Sequence, residues 1–232
     1  MKGYYRMKIS NIIRAAAMLL ACCLLLCACA SGHKLSVNED DTYTDRKTGV
    51  TYRPLSACYE PASVNEEYAY FKLSGLKTTL YTVGSLPPEQ YLASAYYGVY
   101  ANASLVIPTV EQMQMTELLI YTKSATAIPM RTLSATDAAQ SEVMESLLDA
   151  YLNGTRLTFP SYYAQKAAYT LRFAASNLPE LYFCISYVEF GEDVYDLVNG
   201  EEVNFGRYFL YDRYNKVCVA VDNTLHNLLR SE

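Results

Sequence analysis

Two His, seven Cys and 24 Asp plus Glu are the side chains with which this 232-residue chain could do chemistry. Their spacing assigns them no reaction. No HExxH, paired CxxC, Walker A, GxGxxG or GxSxG pattern occurs in the sequence. His33 stands in a polar stretch. His226 follows Asp222 by four residues, the spacing of a helix cap and its first exposed turn. A nucleophilic thiolate needs a base or a cation close by. Cys184 instead sits between Phe183 and Ile185, and Cys218 between Val217 and Val219, surroundings that keep a thiol protonated and inert. Lys216, two residues from Cys218 and on the same face of a strand, is the one feature that points the other way. Along Glu189–Glu202, the acids Glu192, Asp193, Asp196, Glu201 and Glu202 could offer oxygens to Ca²⁺. They lack the DxDxDG spacing and are interrupted by Val194, Leu197 and Val198, so the run reads as a solvated loop between strands. Spacing alone singles out no carboxylate pair for glycoside hydrolysis. No catalytic residue, metal ligand or cofactor is therefore expected.

Tyrosine is the compositional departure, with 23 Tyr and 7 Phe against no Trp. A tyrosine offers ring area together with a hydroxyl, which suits both a half-buried strand and a binding surface. Tyr96, Tyr97 and Tyr100, with Tyr162 and Tyr163, are the candidates for an exposed ligand-binding patch.

The first 14 residues carry Lys2, Arg6, Lys8 and Arg14 and no acid; AAAMLLACCLLLCACA and then Ser31-Gly32 follow. This is the basic start, short apolar core and small-residue exit of an export signal. The apolar run is too short for a confident membrane span. Leu26-Cys27-Ala28-Cys29 resembles the lipobox of bacterial lipoproteins. That resemblance implies cleavage after Ala28, acylation of Cys29 (palmitate among the acyl groups), and a protein held on the outer face of the cytoplasmic membrane or in the periplasm. Beyond the first 29 residues it says nothing.

Without its leader the chain has 15 Lys plus Arg against 24 Asp plus Glu, a balance of −9. Such a charge disfavours nucleic acid as a partner. Three cysteines remain after the leader and Cys29 are set aside, which is no disulfide framework. Cys184 with Cys218 is the pair that the strand pattern favours, and a small buried core residue is the simpler role for each.

The expected organisation is a signal peptide over 1–28, lipidated Cys29 and a flexible tether over 29–49, and a globular domain over 50–232. A subdomain division near 110–117 stays open. Strands are read at Tyr68–Leu73 and Thr78–Val83 around Ser74-Gly75, at Leu118–Thr122, at Ala127–Leu133 as an edge because of Pro129, and at Tyr169–Phe173. Leu181–Phe190 reads as a central strand, and Tyr208–Tyr211 with Val217–Val221 as a hairpin. Helices are read from Ser85 through Tyr96, from Thr136 to about Leu152 with Val143, Met144, Leu147, Leu148 and Tyr151 inward, and after Asp222. The expected class is α+β, a mainly antiparallel sheet with about three helices. The functional expectation is a non-enzymatic envelope module that binds a peptide, glycan or protein, or an accessory subunit. The alternative is a carboxylate-dependent hydrolase of an envelope polymer.

Overall fold

The computed structural model describes residues 32–123 and 128–230; Cys29 and the whole leader lie outside the described residues. The first strands in chain order are β1 (His33–Lys34), β2 (Ser36–Val37), β3 (Tyr43–Thr44), β4 (Thr51–Pro54), β5 (Tyr59–Pro61), β6 (Val64–Leu73), β7 (Leu76–Val83), β8 (Tyr91–Ser94) and β9 (Val99–Asn102). Then come β10 (Met115–Thr122), β11 (Arg131–Ser134), helix α1 (Ala138–Asn153), β12 (Gln165–Ala175) and β13 (Leu178–Phe190). The chain continues through β14 (Tyr195–Val198), β15 (Glu201–Asn204), β16 (Tyr208–Asp212), β17 (Val217–Ala220) and helix α2 (Thr224–Arg230). Among the described residues no helix is long and apolar enough to cross a membrane.

The expected α+β class is overturned. Strand accounts for 47% of the structure and helix for 13%, with two α-helices among the described residues, so the fold is β-rich. The helix expected over Ser85–Tyr96 is a proline turn followed by β8. Tyr91, Leu92, Ala93 and Ser94 are all buried, because Leu92 faces one core and Tyr91 and Ala93 another. A short run that is apolar on every side reads equally as a helix or as a doubly buried strand, and here the ladders to β7 and β9 decide.

The first sheet closes on itself. Its strand order runs β1-β6-β7-β8-β9-β4-β3-β2, and β1 and β2 are consecutive in the chain, separated only by Leu35. The seam is short. β1 pairs with β6 in parallel, Leu35 N–H donates to Tyr70 O at 2.8 Å, and β2 pairs antiparallel with β3. The seam covers β6 only at Ala69 and Tyr70, and the result is a small near-closed barrel filled with side chains. Leu35, Tyr43, Tyr52, Ala69, Phe71, Leu80 and Leu92 form its interior. From His33 onward, then, the segment expected to be a flexible tether over 29–49 is part of this barrel, with Leu35 and Asp45 fully buried. The polar composition hid this, because one buried carboxylate and two-residue strands leave no alternating pattern.

The second sheet has the order β11-β10-β12-β13-β16-β17, with β5 pairing to β13 beyond the end of β16. Its strands alternate as the period of two requires. Leu118, Ile120, Leu171, Phe173, Phe183, Ile185 and Tyr187 point inward. They pack on Val143, Met144, Leu147 and Tyr151 of α1, on Leu225 and Leu229 of α2, and on Val83, Tyr91, Ala93, Val99 and Ala101 of the barrel wall. Asp137 caps α1 by accepting the Gln140 N–H at 3.1 Å. At the junction of barrel and sheet, Gly84 adopts φ +46, and a Cβ there would collide with the Glu180 carboxylate. That carboxylate accepts the Ser85 hydroxyl at 3.1 Å and could swing aside, so it is the left-handed φ that favours glycine here.

Candidate functional site

The outer face of the second sheet is only half covered. Val188, Phe190, Phe209 and Cys218 on this face are capped by Leu157, Phe159, Tyr163, Val194 and Phe205, from the segment before β12 and the segment around the β14–β15 hairpin. The remainder of the face is an open trough. One hollow of about 280 Å³ has Ala168, Thr170, Ser186 and Val188 as its floor and Phe159, Tyr211, Gln165 and Lys123 as its walls. It shares Thr170, Ser186 and Tyr211 with a second hollow of about 160 Å³, which extends past Cys184 and Glu60 to Arg213 and Tyr214. It shares Phe159 with a third of about 380 Å³, lined by Tyr162, Tyr163, Tyr195 and Asp196. The first two hollows adjoin along a floor they share, and the third meets the first only at the Phe159 ring. That floor is shallow-sided because β12 and β13 present small residues there, while their large residues face the core.

The rings along the trough are held in place. Phe159 and Tyr211 lie 4.2 Å apart between centroids at 31°, and Phe159 also meets Phe190 at 5.9 Å. Tyr195 N–H donates to the Tyr163 hydroxyl at 3.2 Å, which ties the first aromatic segment to the β14–β15 hairpin. At the base of that hairpin, Arg207 donates to Asp193 at 2.7 and 2.9 Å and Asn204 Nδ2 donates to it at 3.2 Å. Hydrogen bonding from Arg207, and then from Asn204, lowers the Asp193 pKa. The acidic run is therefore a hairpin with its own internal ion pair. Among the described residues no group of three His, Cys, Asp or Glu could hold a metal ion.

Two carboxylates that line the trough are already engaged. Glu60 accepts from Arg172 Nε at 2.9 Å and lies 2.8 Å from its Nη2, and the guanidinium sits 4.5 Å over the Tyr121 ring. Asp212 accepts the Tyr151 hydroxyl at 2.9 Å, the Tyr214 and Asn215 backbone N–H groups at 2.9 and 3.1 Å, and Asn215 Nδ2 at 2.6 Å. It is the cap of the β16–β17 turn. Burial pushes the Cys184 thiol well above its ordinary pKa and Cys218 up to about 11, so both are protonated at neutral pH. Cys58, Cys184 and Cys218 are all free thiols. Cys184 on β13 and Cys218 on β17 are separated by the whole of β16, which rules out the pairing favoured by pattern.

The five candidate tyrosines fall in three places. Tyr162 is fully exposed and Tyr163 half-buried, both in the trough. Tyr96 and Tyr97 occupy the β8–β9 turn at one end of the barrel, exposed, with Tyr97 at φ +64. Tyr100 belongs to the barrel interior, 5.5 Å from Tyr43 and 5.8 Å from Phe71. Neither histidine lines the trough. His33 Nε2 lies 2.9 Å from Asp45 in the barrel, and His226 Nδ1 lies 2.8 Å from the buried Glu189 beneath α2. Pattern reading missed Thr170, Ser186, Phe159 and Tyr211. Each carries an ordinary strand or loop signal, and only the topology brings them together. No known protein family, curated protein or solved structure matches this chain.

Proposed function

We propose that this protein is a non-enzymatic binding module of the bacterial envelope, held on the membrane by acyl chains on Cys29, that captures an extended ligand along the outer face of its second sheet. The observation that carries the reading is the trough through Phe159, Thr170, Ser186 and Tyr211, walled by aromatic side chains and sitting on a rigid sheet. Concave, largely apolar sites with a few convergent polar groups are where ligands bind. The anchoring part rests on Leu26-Cys27-Ala28-Cys29, and two or three acyl chains hold a soluble domain stably. The hydrolase alternative needs two free carboxylates facing one another. Glu60 and Asp212, the trough carboxylates on the sheet itself, are bound to Arg172 and to Tyr151 and the β16–β17 turn.

Thr170→Trp fills the floor of the trough without touching the inner core. Fractionated envelope polymers are presented to the purified domain and to this variant, with the melting temperature recorded for both. The reading requires that at least one fraction binds the parent chain, and that the variant loses it at unchanged melting temperature. Binding that survives Thr170→Trp refutes the trough as the site. In an export-competent bacterium, Cys29→Ser is expected to abolish incorporation of labelled palmitate, and retained label refutes the anchor.

A further inference from the structure

The trough is a sheet face and not a sheet edge. The backbone groups of β12 and β13 beneath it are committed to ladders with each other and with β10 and β16. A peptide that binds by strand addition needs free edge N–H and C=O groups, and this floor offers none. Recognition here must come from side chains alone. Beside a few charged groups, those side chains include rings (Phe159, Tyr211, Tyr214, Tyr162, Tyr163) and uncharged hydrogen-bonding groups (Thr170, Ser186, Gln165). Alternating apolar faces and hydroxyl groups is also the chemistry of a sugar ring, whose C–H face stacks on an aromatic while its rim of hydroxyls seeks donors and acceptors.

Charge narrows the class. Glu60 and Arg172 neutralise one another and Asp212 is turned into the fold, which leaves Lys123 in the first hollow, Arg213 in the second and Asp196 in the third as isolated charges. The domain as a whole is strongly acidic, so an anionic polymer meets repulsion without a basic stripe to overcome it. The first two hollows adjoin along Thr170, Ser186 and Tyr211, and the third, with Tyr162 and Tyr163, meets the first at Phe159.

Resting on the proposal that the trough is a binding site, we infer that its ligand is a neutral polysaccharide chain, stacked on the trough rings and hydrogen-bonded by Thr170, Ser186 and Gln165. The test titrates the purified domain with cellohexaose and chitohexaose as neutral probes, with hexagalacturonate as an anionic one, and with uncharged hexapeptides. A neutral hexasaccharide is expected to bind, more tightly than its dimer, and Tyr162→Ala and Thr170→Trp are each expected to weaken it by about ten-fold or more. Preference for hexagalacturonate, or binding of both neutral sugars that ignores the two substitutions, overturns the inference. Peptide binding that Thr170→Trp removes, without sugar binding, overturns the sugar assignment and leaves the trough as a binding site. If no probe binds even at millimolar concentration and no envelope fraction binds either, both fall together.

Discussion

The barrel and the second sheet are both tyrosine-rich and antiparallel in nearly every pairing, yet they dispose of their faces differently. In the barrel, closure turns one face into a filled interior, where Tyr43, Phe71 and Tyr100 meet as a ring cluster, and part of the other is pressed into the shared core through Val83, Tyr91 and Val99. Its aromatics are used up in packing. In the open sheet, the inner face takes both helices and the barrel wall, and the outer face is capped only toward β17. A closed sheet makes a scaffold, whereas an open sheet with one clad face can keep the other for a ligand. The contrast teaches that aromatic content alone does not locate binding, because the same residue type serves cohesion in one half and exposure in the other.

The comparison can be broken most severely at the core that joins the halves. Phe183→Ala removes a fully buried ring beside Tyr151, Phe173 and Tyr59, and is expected to cost about 3–5 kcal/mol. Because the barrel wall shares this core, one cooperative transition should move to lower temperature. Two separated transitions in calorimetry would show that the halves are independent.

A smaller effect is expected inside the barrel. Asp45 is fully buried and accepts the Tyr68 hydroxyl at 3.0 Å and the Lys47 N–H at 2.8 Å, with His33 at 2.9 Å. Burial pushes its pKa up, but these partners outweigh it and the net displacement is downward. The unfolded chain therefore takes up a proton at Asp45 first as pH falls. The stability Asp45 contributes is complete above its ordinary pKa of about 3.9 and is lost as pH drops through its lower folded value. Asp45→Ala, which strands its donors, is expected to cost about 1–3 kcal/mol near neutrality. It should also flatten the acid limb of melting temperature against pH, and an unchanged limb would mean that another carboxylate sets it.

The smallest stability effects sharpen the comparison most. Tyr162 in the trough and Tyr96 at the barrel end are both almost fully exposed, so truncating either to Ala should change stability by no more than about 0.5 kcal/mol. Only Tyr162→Ala is expected to weaken ligand capture. Equal losses in a binding titration would move the site, or extend it, to the barrel.

Much of the strand content was legible because long alternating runs leave little choice. Tyr169–Phe173 and Leu181–Phe190 fall within β12 and β13, and the run broken by Pro129 lies at the β11 edge. The α1 helix was marked by Asp137 and by Val143, Met144, Leu147 and Tyr151. Barrel closure was not legible, since it depends on two-residue strands around a single apolar Leu35 and on parallel pairing across 36 positions, His33 to Ala69. Of the trough, Tyr162 and Tyr163 stood out because they lie outside the strand pattern. Thr170 and Ser186 did not, because small polar residues on an outward strand face look the same whether they meet water or a ligand. Tyr100 misled for the opposite reason: its neighbourhood looked like a loop, but ladders to β8 and β4 place it in the barrel wall with its ring inward.

The barrel seam has a mechanical consequence. Cys29 precedes His33 by four residues, at most about 14 Å of chain, so an anchored domain would stand close to the bilayer. Drag on a polymer held in the trough would pass through the shared core into the barrel wall and leave the domain by way of β1. Because β1 runs alongside β6, tension drawn along it loads the seam bonds together in shear and does not peel them one at a time. His33 rests 2.9 Å from Asp45 where the force enters, so the charge on that carboxylate bears on the seam. In an anchored domain that short seam would carry the load between the membrane and the rest of the fold.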